Sequence, residues 1–150
     1  MKLSMTKSPS PSESYFRIAQ SLMSGVKVLA AANPPSHLAL ALVSAHVLEC
    51  LLKAYLSREG SDKELTNDQK IRHNLKGLWM KALDEGLHIF PSPPGWVDSL
   101  SLVHDYPFYL RYSTGVRGFP LPPPEPMASE LAAIAEVVQE QIKQYIQIDE

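Results

Sequence analysis

The chain has 150 residues, a formal net charge of −2, 45% apolar residues and a single cysteine. A chain of this length and apolar content builds its own core, so whole-chain disorder and an intramolecular disulfide framework are excluded. The near-neutral charge excludes a nonspecific nucleic-acid binder acting through an overall basic surface, so no DNA footprint is expected.

In chain order, residues 1–9 are polar and rich in Ser and Pro. They read as a tail ahead of one domain spanning 10–148. They carry no apolar signal-peptide core, so the expected compartment is the cytoplasm. Ser10-Pro11-Ser12-Glu13 has the residues of a helix start: a capping serine, proline at the first helical position and a glutamate to close the capping box. The first helix runs to Ala32, with Phe16, Ala19, Leu22, Met23, Val26, Leu29 and Ala30 inward, and Asn33-Pro34-Pro35 ends it. Ser36 caps a second helix that runs to Arg58 and stops at Gly60. That helix is apolar nearly all round, as a central bundle helix is. Its apolar stretch from Leu38 to Leu56 is interrupted by His46, Glu49 and Lys53, so no membrane span is expected.

Residues 61–71 read as a polar loop with some frayed helix. Asn74 caps a third helix bearing Leu75, Leu78, Trp79, Ala82 and Leu83, which ends at Gly86. A short helix covers Trp96 to His104 through Val97, Leu100 and Val103. An aromatic stretch, Asp105 to Tyr112, and a Gly- and Pro-rich connector up to Pro126 follow. The last main helix follows Pro126 and runs to Ile146, its stripe being Leu131, Ile134, Val138, Ile142 and Tyr145. The expected fold is all-α: an up-and-down bundle of four main helices plus a short extra helix.

His46, Glu49 and Lys53 share one face of the second helix, at separations of three, four and seven. Glu49 and Lys53 form a structural pair with Lys53 reaching out to water, or Glu49 holds a partner from another segment. The candidate partners are His73 and Arg111. His73 either satisfies groups at a helix terminus or moves a proton. Arg111, beside Tyr112, either pairs with a carboxylate or grips phosphate in a bidentate fork. Tyr106, Tyr109 and Tyr112 either pack on the bundle or stack on bases. Candidate catalytic residues are thus His73 and Arg111, and candidate binding residues are Glu49, Lys53, His73, Arg111 and Tyr112. Cys50, inside an apolar run, reads as a buried small hydrophobe. The five histidines lie far apart, so no metal site or other cofactor is expected unless the fold happens to gather them. His104-Asp105 is an adjacent pair, which is weak evidence for a dyad.

Three stretches resemble the HEPN superfamily of helical domains. They are Ala45-His46-Val47-Leu48-Glu49-Cys50-Leu51-Leu52-Lys53-Ala54-Tyr55-Leu56, His73-Asn74-Leu75 with Leu78-Trp79 and Ala82, and Leu110-Arg111-Tyr112. The resemblance implies a four- to five-helix bundle that forms a homodimer and occurs as metal-independent ribonucleases in toxin–antitoxin and defence systems, or as noncatalytic partner proteins. The nuclease members carry an arginine followed four to six residues later by a histidine. No arginine of this chain is so followed, and Arg72 directly precedes His73. The leading expectation is therefore a noncatalytic HEPN-like domain that binds a partner protein, a nucleotide or RNA. A divergent ribonuclease using Arg111 and His73 is the alternative, and a structural or regulatory bundle unrelated to nucleic acid is the third reading.

Overall fold

A computed structural model of the chain describes residues 8–34, 36–105 and 121–146. Regular structure among the described residues is entirely helical: α1 (Pro11–Ala31), α2 (His37–Leu56), α3 (Lys63–Asn67), α4 (Leu75–Asp84), α5 (Gly95–His104) and α6 (Pro124–Ile142).

α1 begins as its sequence dictates. Ser10 Oγ accepts a hydrogen bond from the Glu13 amide at 3.2 Å, with Pro11 at the first helical position. Phe16, Ala19, Met23, Val26 and Ala30 are buried along one face. Ser12, fully buried, donates its hydroxyl to the Ala54 carbonyl at 2.6 Å and so pins α1 to α2 through a polar contact.

α2 is the hub. A helix apolar nearly all round has little to offer water, so other elements must enclose most of it, and α1, α4, α5 and α6 all pack against it. By length and composition α2 could cross a membrane, yet most of it is buried inside the protein. The expected side-chain cap from Ser36 does not form, and only the ordinary first helical bond, from the Leu40 amide to the Ser36 carbonyl at 2.9 Å, ties Ser36 to the helix. At the other end Ser57 Oγ donates to the Lys53 carbonyl at 2.6 Å, and Gly60, at φ 112°, turns the chain away.

The expected loop after α2 contains α3, anchored by buried Leu65. In α4, the Asn74 side chain accepts from the Gly77 amide at 3.0 Å. Its end is a Schellman turn: Leu87 N–H to the Ala82 carbonyl and Gly86 N–H to the Leu83 carbonyl, both 3.0 Å, with Gly86 at φ 99°. α6 starts at Pro124, ahead of Pro126, because the first amides of a helix have no intrahelical acceptor and a proline there forfeits no bond. It ends at Ile142. Leu131, Ile134, Val138 and Ile142 are buried as expected, but Tyr145 lies beyond the helix and is exposed. The Val103 side chain, expected inward on α5, lies outside the described residues.

Candidate functional site

One carboxylate interrupts the buried surface of α2, and basic groups from three elements converge on it. Glu49 Oε1 meets His73 Nδ1 at 2.7 Å and His104 Nε2 at 3.3 Å. Its other oxygen, Oε2, faces Lys53 Nζ at 3.8 Å and His46 Nδ1 at 3.9 Å. The carboxylate is therefore divided. One oxygen serves imidazoles brought by the fold, and the other serves neighbours on its own helix at i−3 and i+4.

Burial grades across the cluster. The His104, Lys53 and Glu49 side chains are 1%, 5% and 7% exposed, whereas His73 is 24% and His46 41% exposed. The cluster thus reaches solvent through His73 and His46. The rings of His73 and His104 meet edge to face, with centroids 6.0 Å apart. Among the described residues His104 Nδ1 has no hydrogen-bond partner, so its Nε2 contact ties this buried ring to the site.

His73 is placed by a compact turn. The Asp68 carbonyl accepts from the Arg72 and Ile71 amides at 3.0 and 3.2 Å, and Asp68 Oδ1 accepts from the Lys70 amide at 2.9 Å. Asn74 then staples this turn to α4: its Nδ2 donates to the Lys70 carbonyl while its Oδ1 caps Gly77. His104 is the last residue of α5.

Burial pushes the Glu49 carboxyl upward. The hydrogen bonds to His104 and His73 and the charge of Lys53 outweigh this and hold it at about 2. Glu49 is thus a persistent anion in a nearly dry place, which is tolerable only because it is paired. Its contact fixes His73: in the neutral ring, Nδ1–H donates to the carboxylate and leaves Nε2 as the basic nitrogen. Such a pair can orient an imidazole for proton transfer. Glu49 Oε1, His73 Nδ1 and His104 Nε2 also lie within 4.8 Å of one another, a spacing that a metal ion can bridge.

Of the residues expected at a site, Glu49, Lys53 and His73 come together. Arg111, Tyr112, Tyr106 and Tyr109 lie outside the described residues. Lys53 does not reach out to water. It is buried, its ammonium 5.9 Å from the centre of the Tyr15 ring, because α1 covers that edge of α2. His104 was not expected here. Its signal lay in the spacing Val97, Leu100, His104, which sets the imidazole on the apolar face of α5. Cys50 is 2% exposed, and its thiol is pushed up to about 12 by burial and by the charge of Glu49. It has the packing role expected of it and is a poor nucleophile.

Comparison with protein-family models, curated proteins and solved structures finds no match.

Proposed function

We propose that the chain is a noncatalytic HEPN-like domain, an up-and-down bundle of four main helices acting as a cytoplasmic homodimer, that binds RNA or a nucleotide at the Glu49 cluster. One observation carries this reading: Lys53 and three imidazoles converge on a single carboxylate and open to solvent through His73 and His46. The basic side chains outnumber the one carboxylate they face, which suits a phosphate group. Exposed Lys70 and Arg72 on the His73 turn extend that character outward. In this reading Arg111 and Tyr112 add a phosphate fork and a stacking ring.

The test is fluorescence anisotropy with labelled single-stranded RNA in EDTA. Native protein is expected to bind, more weakly as salt rises, and the Arg72→Ala and His73→Ala variants are expected to lose most of the affinity. Failure of the native protein to bind RNA or nucleotides would leave the cluster as a device that fixes helix packing.

A second reading, a divergent metal-independent ribonuclease, is favoured by the 2.7 Å contact between His73 and Glu49, which aims an imidazole as a general base would be aimed. Here Arg111 holds the scissile phosphate. RNA cleavage in EDTA that disappears in both His73→Ala and Arg111→Ala would establish it. Intact RNA after long incubation with native protein would dismiss it.

A further inference from the structure

We infer that Glu49, His73 and His104 form a site for one divalent first-row transition-metal ion of the Zn²⁺ class. This goes beyond the proposed binding of RNA and does not depend on it.

The donor set is the first argument. Two imidazoles and one carboxylate are a ligand combination used for Zn²⁺ and related ions, with the remaining coordination positions left to water or a ligand. Each donor comes from a different element, α2, the turn before α4 and the end of α5, so the triad exists only in the folded chain.

Geometry is the second. Zn²⁺ holds nitrogen and oxygen ligands at about 2.0–2.2 Å, which sets tetrahedral ligands about 3.4 Å apart. The two imidazole nitrogens lie 2.7 and 3.3 Å from Glu49 Oε1 and within 4.8 Å of each other, so an ion is seated by opening the first contact and setting the two nitrogens at about 3.4 Å. Buried Glu49 and His104 form the fixed wall, while half-buried His73 stands at the mouth, where an ion enters and a water completes the shell.

The division of the carboxylate is the third. Lys53 and His46 stand on the Oε2 side at 3.8 and 3.9 Å, while Oε1 faces the two imidazoles with which it would share the ion. Lys53 also sets selectivity. Its ammonium opposes any cation held by charge alone, so Mg²⁺ and Ca²⁺, which rely on oxygen ligands, are disfavoured against ions that gain from imidazole nitrogen.

The experiment uses the full chain, stripped with EDTA, dialysed and titrated without RNA with ZnCl₂ by calorimetry and with CoCl₂ by absorption spectroscopy. The expected result is one tight equivalent that excess Mg²⁺ or Ca²⁺ does not displace. Losing even a supporting partner of a metal ligand costs about 10–100-fold in affinity, so His73→Ala and Glu49→Gln are each expected to weaken binding at least that much. His37→Ala and His88→Ala, at exposed histidines elsewhere, are expected to change nothing. His73 sits in a half-buried turn, so its variant decides the matter even where Glu49→Gln fails to fold. Absence of a tight equivalent, undiminished binding by His73→Ala, or a sulfur-to-cobalt charge-transfer band implicating Cys50 would each overturn the assignment. Because the RNA assay is run in EDTA and the titration without RNA, either proposal fails on its own.

Discussion

Glu49 shows how much a single position depends on its partners. Its carboxyl is held at about 2, against 4.5 for the unperturbed side chain. A depressed carboxyl contributes stability that is fully present above its unfolded value and is lost as pH falls through the folded one. For a buried group this amounts to a few kcal/mol in order of magnitude. Urea midpoints of the native protein are therefore expected to fall between about pH 4.5 and 2. Glu49→Gln is expected to be less stable at neutral pH and to lose stability less steeply across that window. An unchanged acid slope in the variant would show that Glu49 is not held as described. At this scale the sequence was half legible. Helical spacing joins His46, Glu49 and Lys53 on one face, but the burial of Lys53 depends on Tyr15 and α1, and the recruitment of His104 depends on where α5 ends. Neither is written in the residues around Glu49.

Elements are governed by shorter-range rules, and most of them were readable. Asn74 caps α4, Gly86 ends it and Ser10 starts α1, because each local pattern supplies a bond that a helix end lacks. Departures arise where a local pattern permits more than one outcome: Ser36 precedes α2 without capping it through its side chain, and α6 admits Pro126 in its first turn. Asn74 carries a further load, since it joins the His73 turn to α4. Asn74→Ala is expected to cost about 1 kcal/mol. Gly77→Ala adds helix propensity worth about 1 kcal/mol in an open helix. Here, though, the new Cβ would stand 2.9 Å from Asn74 Nδ2, so the cap has to give way. The expected outcome in thermal unfolding is no gain in stability. A full propensity gain would mean that the cap moves at no cost.

The whole molecule is organised around α2, with both tryptophans buried in its surroundings. Trp79 of α4 donates its indole N–H to the Phe90 carbonyl at 2.9 Å, and Trp96 of α5 donates to the Glu130 carboxylate of α6. One continuous core predicts one cooperative transition, so tryptophan fluorescence and far-ultraviolet circular dichroism are expected to trace the same urea curve. Separate midpoints would mean that the α4–α5 side melts independently of α1, α2 and α6. The all-helical class was legible from periodicity. The meeting of the three elements that carry Glu49, His73 and His104 was not, because it depends on how helices far apart in sequence pack around α2.

The separation of those partners along the chain also orders events in time. During synthesis Glu49 is made 24 residues before His73 and 55 before His104. A nascent chain that has released only α1 and α2 can close its apolar faces on each other, but it lacks the imidazoles of His73, in the turn before α4, and of His104, at the end of α5, to set against the carboxylate. That edge of α2 stays wet until the ribosome delivers His104, and the face that α6 covers is sealed later still, once residues 124–142 have been made.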